Sequence, residues 1–307
     1  MKDSGKSSLS GYGLILLSAV LFGTYGVWSR LMGPSFQPFY QAWVRSIIIM
    51  LIMLPFMIKS KSFRRIEQKD WPQVGMFIAF CICTQVPLYY AFNHAPIGSV
   101  QLIFYSVFII TAYIVGRFYL GEKITRVKIA AMILALVGLA IVFGAAVLAF
   151  APIGLALAAF NGVASGGETA STKKVSHKYS PALLVFWGWV FTAITHLPIS
   201  LLLGEKQVMP QFNHAWLWLV IYSIVNAAAF WLAITGYKHV DASIASLVGL
   251  AEVIFAIIFG AIIFHQKITL SMYIGAVVIV FAAILPDLRN IIHHTHTKVP
   301  IEPVREL

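Results

Sequence analysis

Three ionisable side chains, Arg45, Glu168 and Glu252, lie inside long apolar runs of this sequence. An ionisable side chain at bilayer depth costs about 2.5–3.5 kcal/mol on insertion scales, so each one needs a partner or a role. The planar guanidinium of Arg45 suits a substrate carboxylate or phosphate. An ion pair with Glu168 or Glu252 is the alternative, because buried charges are usually paired.

The two glutamates have a similar pair of interpretations. Glu252 could hold a substrate amine or carry a coupling proton, and a contact between packed helices is the alternative. Glu168 shares one helical stripe with Asn161 and Ser165, and it has the same two interpretations.

Polar and aromatic side chains at helical spacing could complete a cavity around Arg45. Such residues could enclose a planar or amphipathic ligand, although aromatics in membrane helices also serve as packing or interface anchors. The predicted substrate-binding residues are Arg45, Gln41, Tyr25, Trp28, Gln85, Tyr89, Tyr105, Trp187, Trp231 and Glu252. Glu168 and Glu252 are the candidate proton-coupling residues.

The composition is typical of an integral membrane protein. The 307 residues are 60% hydrophobic and 11% charged, and the mean hydropathy is +0.85. A soluble domain carries about 25% charged residues. The net charge of +11 comes from short basic clusters between apolar runs rather than from one basic face, which argues against nucleic acid as a partner.

The apolar runs predict ten transmembrane helices, since one crossing takes about 20 residues. They are 11–30, 36–58, 72–92, 98–119, 126–147, 152–173, 181–203, 215–236, 242–264 and 270–287. Most of the 22 Lys and Arg residues fall on one side, which predicts cytoplasmic termini. Lys2 and Lys6 before the first run also fit a cleaved signal peptide, but its removal would leave nine runs.

The second half of the sequence repeats the first. When Ser99 is aligned with Ser243, Gly116 falls on Gly260, and "KIT" at 123–125 falls on "KIT" at 267–269. Five spans in each repeat would place the two halves in opposite orientations in the membrane. Inverted repeats are typical of alternating-access carriers, with the substrate near the midplane.

Three segments resemble EamA-type carriers of the drug/metabolite transporter superfamily. They are "QAWVRSIIIMLIMLP" (41–55), "FYLGEKITRVKIAAMILALVGLAIVF" (118–143) and "AEVIFAIIFGAIIFHQKIT" (251–269). The resemblance covers about residues 10–288 and implies a ten-helix carrier whose halves rock against each other. The sequence departs from the family pattern at His265-Gln266, where a second "G-E" is expected, and at Val253, where proline is usual.

The predicted fold is therefore an all-α membrane protein of ten helices in two inverted five-helix repeats, with both termini cytoplasmic. Its predicted units are a tail at 1–10, a first repeat at 11–147, a second repeat at 152–288 and a polar tail at 289–307. We expect a multi-pass protein of the cell membrane, a monomer or homodimer, whose partners are the lipid bilayer and a small-molecule substrate. The sequence predicts no cofactor and no metal.

The predicted function is secondary transport of a small polar metabolite, and an amino acid or related compound is the substrate that we expect. The family resemblance favours export. Charges of both signs at the midplane suit a zwitterion. A proton-coupled cation or drug antiporter is an alternative, although the acidic first-helix residue of the small multidrug members is lacking here. An intramembrane enzyme needs a nucleophile–base or metal cluster, which His94, His196 and His239 do not supply. A channel needs a continuous polar stripe, which no run shows.

Overall fold

The described part of the chain is entirely helical. The computed structural model describes residues 4–59, 65–144 and 152–296, and these ranges contain thirteen α-helices, two short 3-10 helices and no β-strand. The α-helices are α1 (Ser4–Gly23), α2 (Tyr25–Met32), α3 (Pro38–Lys59), α4 (Trp71–Cys83), α5 (Pro87–His94), α6 (Ile97–Phe118), α7 (Arg126–Phe143), α8 (Pro152–Ser176), α9 (Pro181–Leu202), α10 (His214–Tyr237), α11 (Ala242–Gly249), α12 (Ala251–Phe264) and α13 (Leu270–His296). The 3-10 helices are Gly33–Ser35 and Gln68–Asp70. Residues 1–3, 60–64, 145–147 and 297–307 of the predicted units lie outside the described ranges.

Helical segments occupy all ten predicted span positions, and eight of them are long and apolar enough to cross a membrane. The eight are Ser10–Ser35, Pro38–Lys59, Gln68–Phe92, Ile97–Phe118, Arg126–Phe143, Pro181–Leu202, His214–Tyr237 and Ala242–Phe264. The other two are α8, which carries many polar residues, and the apolar part of α13, Leu270–Pro286, which is shorter. An all-helical membrane protein is thus confirmed, while ten crossings and cytoplasmic termini stay predictions.

Equivalent threonines begin the last helix of each predicted repeat. The Thr125 hydroxyl accepts a hydrogen bond from the backbone N–H of Lys128 at 3.3 Å, and the Thr269 hydroxyl accepts one from Met272 at 3.3 Å. A threonine cap satisfies a backbone donor that the first helical turn leaves without a partner. The two "KIT" segments therefore have the same local structure, as their sequences predict.

Three spans are interrupted near their middles. The first is divided at Thr24, between α1 and α2, and the ninth is divided at Leu250, between α11 and α12. The third is divided at 84–86, immediately before Pro87, which has no N–H to continue the preceding helix. Non-helical backbone at membrane depth needs protein partners, and the Thr84 carbonyl accepts a hydrogen bond from Asn161 Nδ2 at 3.0 Å.

Helix α8 packs closely against α6 and α4, because glycines face both neighbours. A Cβ at Gly162 would lie 2.7 Å from the Phe104 carbonyl oxygen, and one at Gly167 would lie 2.4 Å from the Phe80 ring. Since neither site has room for a side chain, α8 approaches its neighbours at backbone distance. This packing brings the polar residues of α8 to the interior of the bundle.

Candidate functional site

A central cavity of about 350 Å³ lies between the helices of the two predicted repeats. Residues of α1, α2, α3, α5, α6, α8, α10, α11 and α12 line it, together with the break between α4 and α5. Seven of the residues predicted from sequence lie on its wall: Tyr25, Arg45, Gln85, Tyr89, Tyr105, Glu168 and Glu252. The structure therefore places the three intramembrane charges around one space.

Arg45 is buried on the cavity wall with only 2% of its surface exposed. Its Nη2 donates to Gln85 Oε1 at 2.7 Å, and the guanidinium carbon lies 4.7 Å from the centre of the Tyr222 ring. Within the described ranges, Arg45 Nε and Nη1 have no hydrogen-bond partner, and no carboxylate forms an ion pair with Arg45. The guanidinium is thus held in place by Gln85, with the neutral hydroxyls of Tyr89 and Tyr222 beside it, and no described carboxylate neutralises it.

The two cavity glutamates each accept a hydrogen bond from a neutral donor. Tyr105 OH donates to Glu252 Oε1 at 3.1 Å, and Cys81 Sγ lies 3.4 Å from Glu168 Oε1. Neither carboxylate forms an ion pair in the part of the chain that the structure describes. A cation entering the cavity could therefore approach either of them without displacing a protein cation.

Aromatic rings give the cavity much of its remaining surface. Tyr89 OH and Tyr222 OH are 3.1 Å apart, and the Tyr25 ring meets the Tyr222 ring edge-on at 4.9 Å. Phe22 packs edge-on against Tyr25 at 5.2 Å and against Phe230 at 5.3 Å. Aromatic faces of this kind bind planar groups by stacking and cations by their electron-rich surfaces.

Four of the residues predicted from sequence lie away from the cavity. Trp28 Nε1 donates to the Thr24 hydroxyl at 2.8 Å, while Gln41 Nε2 lies 3.8 Å from Met32 Sδ. The other two contact phenylalanine rings: Trp187 lies against Phe186 and Phe191, and Trp231 lies against Phe56. Their aromatic or polar character was visible in the sequence, but the direction in which each helix face points was not.

Sequence reasoning missed the cavity residues of α10, among them the polar Tyr222 and Asn226. Both are buried, with 1% of their surface exposed. They are spaced i, i+4 and so lie on one helix face. The signal that could have found them is their spacing, which places two polar groups on one face of a mostly apolar helix.

One end of the bundle is closed by a charge cluster of Glu122, Lys128, Lys173 and Asp241. Lys173 Nζ lies 3.0 Å from Glu122 Oε1 and 2.8 Å from Asp241 Oδ1. Lys128 Nζ lies 2.7 Å from Asp241 Oδ2. Since the first two residues belong to the predicted first repeat and the last two to the second, the charge cluster joins the two halves.

The carboxylate of Glu122 also caps α11. Its Oε1 accepts from the backbone N–H of Ala242 at 2.6 Å, and its Oε2 accepts from the N–H and hydroxyl of Ser243 at 3.2 and 2.8 Å. A carboxylate at a helix N-terminus is stabilised by the helix dipole and by the free N–H groups. Burial raises the pKa of Asp241, but hydrogen bonds from Lys128 and Lys173 lower it more, so the net pKa is below the ordinary 3.8.

The cavity is less buried at the opposite end. Its lining residues beside the charge cluster include Ile15 and Thr172, with 2% and 1% of their surfaces exposed. Ser29, Phe92 and Gln101 line its other end and are half-buried. These lining residues are therefore more buried on the side of the charge cluster.

Comparison with known proteins identifies the family. A model of the EamA-like transporter family matches residues 9–144 and 152–285. The chain is 22% identical over 289 residues to the S-adenosylmethionine uptake transporter of Rickettsia conorii (strain ATCC VR-613 / Malish 7), covering 91% of this chain and 93% of the relative. It is 22% identical over 293 residues to the protein of the same name from Rickettsia felis (strain ATCC VR-1525 / URRWXCal2), covering 92% and 94%.

Two further comparisons agree on the type of protein and on its fold. The chain is 25% identical over 279 residues to a protein of Archaeoglobus fulgidus named as an uncharacterized transporter, covering 90% of this chain and 95% of the relative. One solved crystal structure superposes with a TM-score of 0.78 at 19% identity, covering 94% of this chain and 99% of that chain. The family match spans most of the sequence, and this multi-pass protein of the cell membrane therefore belongs to the EamA-like transporter family.

Proposed function

We propose that this transporter carries a small zwitterionic metabolite, an amino acid or an amino-acid derivative, through the central cavity by alternating access. The observation that carries the proposal is that one guanidinium and two carboxylates line the same cavity, and that none of them forms an ion pair within the described ranges. A substrate with charges of both signs would neutralise Arg45 together with Glu252 or Glu168. A neutral or singly charged substrate would leave part of this costly intramembrane charge without a partner.

S-adenosylmethionine is the first candidate within this class. Two relatives carry it in their names, and its chemistry fits the cavity wall. Its amino-acid head group carries both charges, its sulfonium is a further cation for Glu252 or Glu168, and its adenine is a planar ring for the aromatic surface. At 22% identity, the names alone do not carry the substrate to this chain.

The alternating-access step follows from the charge cluster. Its ion pairs join the two halves at the more buried end of the cavity, so opening that end requires them to separate. The distribution of Lys and Arg predicts that this end faces the cytoplasm. The structure would then represent a state in which the cavity is accessible from outside the cell.

Glu168 and Glu252 are the proposed coupling residues. A carboxylate that alternates between binding a proton and binding a cationic substrate would link transport to the proton gradient. The same residues would serve a proton-coupled cation antiporter, the second candidate function. Arg45 favours the zwitterion, because a simple cation would be repelled by it.

The test is counterflow in liposomes that contain the purified protein. Vesicles are preloaded with unlabelled S-adenosylmethionine, an amino acid mixture or choline, and entry of the matching labelled compound is followed with and without a pH gradient. Saturable counterflow of S-adenosylmethionine or of one amino acid, with none for choline, supports the proposal. Choline counterflow alone would overturn it in favour of the cation antiporter.

Direction is measured in the same vesicles. Uptake is the direction in the names of both Rickettsia relatives, while the resemblance of the sequence to exporters favours export. The direction in which an imposed proton gradient accumulates the substrate above its equilibrium level decides between them. No response to the gradient, with counterflow intact, would indicate exchange without protons.

A further inference from the structure

Four polar atoms on one wall of the cavity have no hydrogen-bond partner among the described residues. They are Arg45 Nε, Arg45 Nη1, Tyr25 OH and Asn226 Oδ1. Arg45 and Asn226 are 2% and 1% exposed, so burial without a partner costs each of them free energy. Because these residues line the cavity, a bound ligand could supply the missing partners.

Arg45 and Tyr25 both contact Tyr222, and Asn226 lies one helical turn from it on α10. The Arg45 guanidinium carbon lies 4.7 Å from the centre of the Tyr222 ring, and the Tyr25 ring is 4.9 Å from it. Asn226 follows Tyr222 by one helical turn on the same face of α10. The three residues therefore lie beside one another in the part of the lining that surrounds Tyr222.

The chemistry of the patch is that of an α-amino-acid head group. Arg45 and the Tyr25 hydroxyl offer donors, which suit a carboxylate, and the Asn226 carbonyl oxygen is an acceptor, which suits an ammonium. A carboxylate and an ammonium attached to one carbon would satisfy both kinds of group at once. The hydrogen bond from Arg45 to Gln85 at 2.7 Å fixes the guanidinium in advance.

We propose that Tyr25, Arg45 and Asn226 form a subsite for the α-amino-acid head group of the substrate, with Asn226 receiving the ammonium. The rest of the ligand then extends toward Tyr105 and Glu252 on the α6 and α12 side of the cavity. This inference rests on the proposed function. It adds that the substrate carboxylate lies at Arg45 and Tyr25 and the ammonium at Asn226. Asn226 thereby determines specificity for a free α-ammonium group.

The test compares S-adenosylmethionine with two analogues as inhibitors of its own counterflow. The decarboxylated analogue lacks the carboxylate, and the N-acetyl analogue lacks the ammonium charge. Both retain the sulfonium and the adenine. In the unmodified protein, each analogue is expected to inhibit about tenfold less well than S-adenosylmethionine, since a site built to hydrogen-bond a group rejects ligands without it.

The decisive variant is Asn226→Leu, with Ser223→Ala as its matched control on the same helix. Ser223 is buried and donates to the Leu219 carbonyl at 2.7 Å, away from the cavity. In Asn226→Leu, S-adenosylmethionine is expected to inhibit counterflow about tenfold less well, and inhibition by the N-acetyl analogue is expected to stay the same. The preference for the free ammonium then disappears. The preference for the carboxylate should remain, and Ser223→Ala should change neither preference.

The outcomes separate this inference from the proposed function. If Asn226→Leu does not fold, Tyr25→Phe takes its place and is expected to reduce the preference for the carboxylate. Equal inhibition by all three compounds in the unmodified protein would overturn the head-group subsite while leaving transport intact. A full preference for the ammonium in Asn226→Leu would do the same. Absence of S-adenosylmethionine and amino-acid counterflow would overturn the proposed function, and the subsite with it.

Discussion

The two ends of the bundle are built from equivalent loops, yet they are held in different ways. The backbone N–H of Glu122 bonds to the Gly116 carbonyl at 2.9 Å, and that of Gln266 bonds to the Gly260 carbonyl at 3.2 Å. In both loops the side chain then folds back against the glycine. Glu122 is buried at its end, whereas Gln266 is exposed at the other.

The partners differ as well. Where the first end has Lys128 and Asp241, the repeat alignment places Met272 and Ile97 at the second. The closed end is thus held by ion pairs and helix capping, while its equivalent has no charged counterparts at these positions. The comparison teaches that two equivalent loops can be held differently, because a few side chains supply ion pairs at one of them and their counterparts at the other are uncharged.

Glu122→Gln places at the closed end the residue type that Gln266 has at the opposite end. Of the changes to the two ends, it should have the largest effect on how often the closed end opens. Removing one partner of a buried ion pair costs about 3–5 kcal/mol, because the remaining charge is left uncompensated. We expect the closed end to open more often. The readout is the labelling rate of a cysteine introduced at Thr172, in a background with Cys81 and Cys83 replaced by alanine. An unchanged rate would mean that the charge cluster does not hold this end closed.

The reciprocal double variant, Gln266→Glu with Met272→Lys, tests whether an added ion pair holds the opposite end closed. It introduces an acid and a base at the positions equivalent to Glu122 and Lys128. An exposed pair contributes only about 0–1 kcal/mol, so we expect slower counterflow with modest change in substrate affinity. The two single variants, each of which adds one charge without its partner, are the controls. Faster counterflow in the double variant would contradict this account.

His265→Gly should have a smaller effect, and on stability rather than on transport. The two equivalent loop residues have left-handed backbones, with φ of 71° at Gly121 and 53° at His265. An L-residue pays about 1 kcal/mol in this region, and glycine does not. The free energy of unfolding in detergent is expected to rise by up to about 1 kcal/mol. A loss of stability would show that the His265 side chain makes a compensating contact.

The smallest expected effect is that of pH on the closed end. Because the folded-state pKa of Asp241 is below 3.8, its stabilising contribution is fully present at neutral pH and is lost only as pH falls below about 4. The rate of labelling at Thr172→Cys, divided by that of a small free thiol at the same pH because the thiolate is the reactive form, should therefore be constant between pH 5 and 8. A change within that range would show that another group controls the closed end.

Much of the fold was predictable from the sequence, because hydrophobic runs and turn residues act locally. The apolar runs located the helices, and the alignment of the two "KIT" segments indicated equivalent positions, at which the structure shows helix caps by Thr125 and Thr269. The close packing of α8 in the interior of the bundle was harder to predict from the sequence. Its close packing depends on what Gly162 and Gly167 meet on other helices.

The candidate site was only partly predictable. The cost of an intramembrane charge singled out Arg45 and Glu252 without any structure. Asn226 and Trp231 show the limit, since both lie on α10 and only Asn226 lines the cavity. Which face of an almost wholly apolar helix points inward is decided by packing against other helices, and a single sequence carries little of that information.

The most direct test of the central claim is counterflow of S-adenosylmethionine by Arg45→Ala, with Arg30→Ala as the matched control. Arg30 lies 4.3 Å from the Phe264 ring and outside the cavity lining. Folded Arg45→Ala is expected to lose counterflow by at least about a hundredfold, Arg45→Lys to restore little of it, and Arg30→Ala to retain it. Full counterflow by folded Arg45→Ala would show that the cavity guanidinium does not hold the substrate.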